Sequence, residues 1–176
     1  MSEKQQREYA RRFGHTIERW LDAGAGACLL RDPEVAEIVG SASSHFAGGR
    51  CDLHSWVVMP NHVHLLVSLR EGEVLAGLMQ SWKGFTSRAI NRLLHRSGTL
   101  WQKDYHDCLI RNTEHFWNCA KYIRNNPAKA SLAESEYLLQ ESAMIQKTLG
   151  EATSKSPSAR HLKKQGDPEV ASPRHD

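Results

Sequence analysis

Met59-Pro60-Asn61-His62-Val63-His64-Leu65-Leu66-Val67 is the run whose reading decides the fold. As a strand it places His62 and His64 on one face, because alternate strand side chains point the same way. The other face is then Val63, Leu65, Val67 and Leu69, an apolar series that requires a core. The preceding Leu53-His54-Ser55-Trp56-Val57-Val58-Met59 reads as a second strand, and Pro60-Asn61 supplies the turn that makes the pair a hairpin. Two neutral imidazoles a few ångströms apart can hold one divalent metal ion.

Outward from the hairpin, the chain alternates helical and extended patterns. Residues Glu3 to Leu21 carry Tyr9, Phe13, Ile17, Trp20 and Leu21 at helical spacing, with Arg7, Arg11, Arg12 and Arg19 between them, so an amphipathic helix with a basic side is expected. Gly24-Ala25-Gly26 ends it, and Cys28-Leu29-Leu30 reads as a very short strand or a buried connection. Asp32-Pro33 is a helix start, and Val35, Ile38, Val39, Ala42 and Phe46 form that helix's stripe. After the hairpin, Val74 to Leu94 is the longest helical pattern. Leu100-Trp101 and Tyr105 to Ile110 are expected as a third strand. A helix capped by Asn112 or Thr113 follows, and Pro127 is expected to stop it.

That last helix holds Tyr122 and Asn126, four residues apart and hence one above the other. A helical tyrosine alone is ordinarily a packing residue with its hydroxyl at the surface. An amide oxygen one turn away changes its weight, because it suits a hard divalent ion, and a phenol beside such an ion can serve as a nucleophile.

With 176 residues and a formal net charge of +3, the chain suffices for one cored domain and is only mildly basic. Cys28, Cys51, Cys108 and Cys119 form no C-x-x-C pair and are read as reduced thiols of a cytoplasmic protein. No stretch approaches the roughly 20 apolar residues of a membrane span, so no membrane partner is expected. Residues 1–149 are read as one domain and 150–176 as a disordered tail with a short basic cluster at Arg160 to Lys164.

Several motifs in order carry a family resemblance. The run Trp56 to Val67, Leu100-Trp101-Gln102, the segment Asp107 to Arg111, and Tyr122-Ile123-Arg124-Asn125-Asn126-Pro127 together resemble the REP-associated tyrosine transposases, within the single-tyrosine HUH endonucleases. The resemblance implies an α+β fold with a ferredoxin-like antiparallel sheet and helices on one face. It implies His62, His64 and Asn126 as ligands of Mg²⁺ or Mn²⁺, and Tyr122 as the nucleophile that nicks and rejoins single-stranded DNA beside a hairpin through a 5′-phosphotyrosine. Lys83, Arg88, Arg92, Arg111 and Arg124 are then candidate phosphate contacts, where otherwise the helix cations would read as a solvated face. Trp82 and Trp101 read as core before they read as base-stacking platforms. Asp107 matches the family motif without an assigned role.

The chain also departs from the family. Its first residues read as a helix where members begin with a strand, so the sheet is expected to lack that strand, as from a shortened reading frame. Ala130-Ser131-Leu132 replaces the usual Gly-Leu continuation. The rival function is therefore an inactive relative that binds hairpin DNA without cutting it; the working form is open between monomer and homodimer.

Overall fold

The computed structural model describes residues 27–154. Asp32 opens helix α1 (Pro33–Phe46) as expected: its carboxylate accepts the Glu34 amide at 2.9 Å, and Pro33 occupies the first turn. Strands β1 (Cys51–Val58) and β2 (Val63–Leu69) form the antiparallel hairpin, in which Val57 pairs with His64 and Val58 with Val63. The Met59 amide donates to the His62 carbonyl at 2.8 Å and closes the turn. Helix α2 (Leu75–Leu93) follows, then helix α3 (Thr113–Lys129), which Asn112 caps by accepting the His115 amide at 2.8 Å. Strand β3 (Leu138–Glu141) and helix α4 (Ala143–Ser154) complete the described chain.

The fold is α+β, and among the described residues the sheet is antiparallel and three-stranded, in the order β2-β1-β3. The alternation read in the hairpin splits the core in two. Trp56, Val58, Val63 and Leu65 point toward α1 and α2, where Val35, Val39, Trp82 and Ile90 meet them. Gly40 sets that approach: a Cβ there would lie 2.7 Å from the Trp56 ring. The series read on this face fades at its end, where Leu69 is 38% exposed.

The histidine face is not bare. Val57, Met59 and Leu66 pack there against Ala120 and Ile123 of α3 and Ile145 and Leu149 of α4. The helices expected on one face are thus α1 and α2, while α3 and α4 close the other.

Two expectations are corrected. No strand forms at Leu100 to Ile110; the third strand is β3, which pairs with β1. The Lys83 ammonium donates to the Gln102, Lys103 and Asp104 carbonyls, and the Trp101 indole N–H donates to Thr86 Oγ1 at 2.8 Å, so the start of that segment is tied to α2 instead of a sheet edge. Second, Pro127 does not stop α3, which runs on to Lys129. Proline forfeits one amide, yet the helix closes after it through the Ala130 amide to the Asn126 carbonyl at 3.0 Å, and Pro127 itself is buried. Of the two readings of Cys28 to Leu30 the buried connection holds: Leu29–Arg31 is a 3₁₀ turn with Leu30 buried, and the Leu30 amide donates to the Pro60 carbonyl at 3.0 Å, bracing the hairpin turn. The amphipathic helix read in residues 3–21 lies outside the described residues. The tail read from 150 begins inside α4, and from 155 onward it too lies outside them.

Candidate metal and tyrosine site

β2, the turn before it and α3 bring four of the sequence candidates together. The Nε2 atoms of His62 and His64 are 3.1 Å apart. Their rings meet edge to face, and the His64 ring meets the Tyr122 ring in the same way, with centroids 5.4 Å apart. One turn along α3 from Tyr122, the Asn126 amide nitrogen lies 2.8 Å from His64 Nε2.

Hydrogen bonding favours one tautomer of each ring. Asn61 Oδ1 lies 2.7 Å from His62 Nδ1 and is an acceptor, so the His62 proton sits on Nδ1 and leaves Nε2 with a lone pair. His64 Nε2 accepts from Asn126 and likewise presents a lone pair. Burial pushes the His62 pKa down to about 4, and burial with His62 beside it pushes His64 down to about 3, so both rings are neutral at pH 7. The two Nε2 atoms thus converge at 3.1 Å on one point between the rings.

These residues fit a divalent cation. Two nitrogens each about 2.1 Å from one ion and at a right angle would be about 3.0 Å apart, which matches the observed separation. Asn126 is fully buried, and its Oδ1 has no hydrogen-bond partner among the described residues. Rotating the amide by half a turn would exchange Oδ1 with the nitrogen now facing His64, offering the ion a hard oxygen. Among the described residues no cluster of three or more His, Cys, Asp or Glu offers a competing metal centre.

The candidate cations do not gather at this site. Arg124 makes a two-pronged ion pair with Glu141 at 2.9 and 2.5 Å, joining α3 to β3. Lys83 holds the carbonyls of the 102–104 segment and lies 5.2 Å from the Tyr105 ring centre. Arg88 and Arg92 are exposed on α2, and Arg111 is exposed just before α3. Asp107 is exposed, and Trp82 is a core residue at 4% exposure whose indole donates to Ser43 Oγ.

Two contributors escaped the sequence reading. Asn61 was read as a turn former, although an amide next to a histidine is also a natural partner for its ring nitrogen. Lys129 places its ammonium 4.6 Å from the centre of the Tyr122 ring. Its spacing of three from Asn126 and seven from Tyr122 put it on that helix face in advance.

A family model described as "Transposase IS200 like" matches residues 32–126, from the cap of α1 to Asn126. The chain belongs to the IS200-like transposase family. The REP-associated tyrosine transposase of Escherichia coli (strain K12) is 29% identical over 80 residues, covering 44% of this chain and 45% of that protein. The chain thus matches just under half the length of this curated relative. No solved structure matches it. The IS200-like match takes in His62, His64, Tyr122 and Asn126, and among the described residues no helix is long and apolar enough to cross a membrane.

Proposed function

We propose that the chain is a metal-dependent single-strand DNA endonuclease and strand transferase acting in transposition, with Tyr122 as its nucleophile. The observation that carries this reading is the convergence of His62 and His64 Nε2 at 3.1 Å beside Tyr122 and the buried Oδ1 of Asn126.

His62, His64 and Asn126 would hold the ion, Mg²⁺ or Mn²⁺. When bound, it supplies Lewis-acid polarisation of a non-bridging phosphate oxygen. Asn61 keeps the His62 lone pair on Nε2, and the apolar packing of α3 fixes Tyr122 relative to both histidines. The Tyr122 phenol oxygen attacks phosphorus as it loses its proton; the bond to the 3′ oxygen breaks, and that oxygen leaves as a protonated hydroxyl. The product is a 5′-phosphotyrosine. A second DNA 3′-hydroxyl can attack it in reverse, restoring the phenol and joining new ends, which hydrolysis by water would not allow. Lys129 adds positive charge beside the ring where phosphate would arrive.

The second reading, a hairpin-DNA binder that no longer cuts, draws support from the exposed, irregular segment at residues 102–109. A denaturing gel of the protein with a labelled hairpin oligonucleotide from its gene's flanks, with Mn²⁺ or EDTA, separates the two. A Mn²⁺-dependent covalent band supports the enzyme. Hairpin binding without a band supports the binder.

A further inference from the structure

The last turn of α3 lies beyond a proline and is held by a cap of its own. The Leu132 amide donates to the Pro127 carbonyl at 3.0 Å and the Ser131 amide to the Ala128 carbonyl at 3.1 Å, the paired bonds of a Schellman cap. Ser131 takes the left-handed position of that cap, at φ 55°, and Leu132 packs into the cluster around Ala120 and Ile123. Ala130-Ser131-Leu132 thus closes the helix without a glycine. The turn so held carries Lys129, three residues beyond Asn126 and seven beyond Tyr122, and its ammonium lies over the Tyr122 ring, 4.6 Å from the centre.

Other cations of the fold are already engaged, Arg124 by Glu141 and Lys83 by the carbonyls of residues 102–104. Lys129 is exposed and makes no ion pair with a carboxylate among the described residues. A cation in the last turn suits the helix dipole wherever its side chain points, so the dipole alone does not bring the ammonium to this ring. Over an exposed aromatic face it is held only weakly and can shift to an arriving anion. A phosphate placed for attack would be within reach. Its phosphorus lies about 3–3.5 Å from the phenol oxygen, and an ammonium bonds a phosphate oxygen at about 2.7–2.9 Å.

We propose that Lys129 is a catalytic residue: its ammonium bonds a non-bridging oxygen of the phosphate that Tyr122 attacks, and keeps that oxygen in the phosphotyrosine. This rests on Tyr122 being the nucleophile of the proposed function and gives the lysine a defined part in it. The ammonium keeps its three protons throughout. While the bond from the phenol oxygen to phosphorus forms and the bond to the 3′ oxygen breaks, it offsets the charge on the non-bridging oxygens. When a second 3′-hydroxyl attacks the phosphotyrosine, the same contact serves in reverse.

Single-turnover formation of the covalent adduct, with Mn²⁺ and a labelled hairpin oligonucleotide at saturation, tests the proposal. Lys129→Gln should slow the adduct about 100-fold, with the urea midpoint unchanged and oligonucleotide affinity within about threefold of the parent. Lys129→Arg should recover most of the rate, and Lys121→Gln, which removes an exposed cation elsewhere on α3, should leave it as in the parent. A second readout needs no cutting: inorganic phosphate should shift the Tyr122 ring signals in NMR, with about tenfold weaker affinity in Lys129→Gln. If the parent forms no adduct, the proposed function fails and this titration alone decides the part of the lysine. An adduct rate in Lys129→Gln within about twofold of the parent would overturn the proposal, as would, in a parent that forms no adduct, equal phosphate affinity with and without the lysine. A loss in Lys129→Gln seen only as weaker DNA binding, at an unchanged saturated rate, would also overturn it and mark an ordinary backbone contact.

Discussion

His62 and His64 turn their Nε2 atoms toward each other at 3.1 Å while Asn61 and Asn126 hold both rings as acceptors there. Both nitrogens are thereby placed to share one cation. Mn²⁺ should therefore raise the unfolding midpoint of the parent protein, by an amount that grows with the logarithm of its concentration. The shift should vanish in His64→Ala. Scanning calorimetry with and without Mn²⁺ checks both.

Asn126 is expected to act through its oxygen. Asn126→Asp should keep or strengthen Mn²⁺ binding, because a carboxylate is the better hard ligand, whereas Asn126→Leu should weaken it about tenfold or more. Isothermal titration of Mn²⁺ into each variant gives the order, and equal affinity for both would place the ion elsewhere.

Asn61 contributes through His62. Asn61→Ala frees the His62 ring to place its proton on either nitrogen, and Mn²⁺ affinity should fall about 10-fold or more with the fold intact. Nitrogen chemical shifts of His62 would show the Nδ1–H tautomer giving way to a mixture.

The cations divide into two groups by contact. Arg124→Gln breaks the pair with a Glu141 side chain that is only 8% exposed, and should cost about 1–3 kcal/mol of stability. Arg88→Gln, Arg92→Gln and Arg111→Gln should leave stability unchanged. Each that contacts a phosphate should lower the slope of log affinity against log salt for a hairpin oligonucleotide by about 0.7–0.9. Urea melts and binding at graded salt separate the groups.

Gly40 is a packing requirement. Gly40→Val drives a side chain into the Trp56 ring, 2.7 Å from where its Cβ must sit, and should cost about 2–3 kcal/mol, or about 4–12 °C of thermal midpoint.

Much of this was legible in the sequence because local chemistry agreed with the final packing. Asp32 and Asn112 cap the helices they were expected to cap, and the hairpin puts its two histidines together. The pairing of Tyr122 with Asn126 needed only helical spacing. What failed depended on distant partners. Residues 105–110 were read as extended, but an extended segment forms a ladder only where an edge receives it, and β3 takes the free side of β1. β3 itself, four residues long, is too short for a periodicity to declare. Pro127 misled because the stop rule describes the residue before a proline on average, while burial of Asn126 and Pro127 against the sheet holds this last turn helical. The Arg124–Glu141 pair joins residues 17 apart in sequence and no local pattern signals it.

The most direct test of the central claim is where a DNA strand becomes attached. Protein incubated with Mn²⁺ and a single-stranded hairpin oligonucleotide would be digested with nuclease and trypsin and mapped by mass spectrometry. The account predicts a nucleotide phosphate on the peptide Tyr122-Ile123-Arg124, absent with EDTA and absent in Tyr122→Phe, whose hairpin binding is retained. An adduct on any other residue, or cleaved DNA with none while Tyr122→Phe cuts as well as the parent, would contradict it.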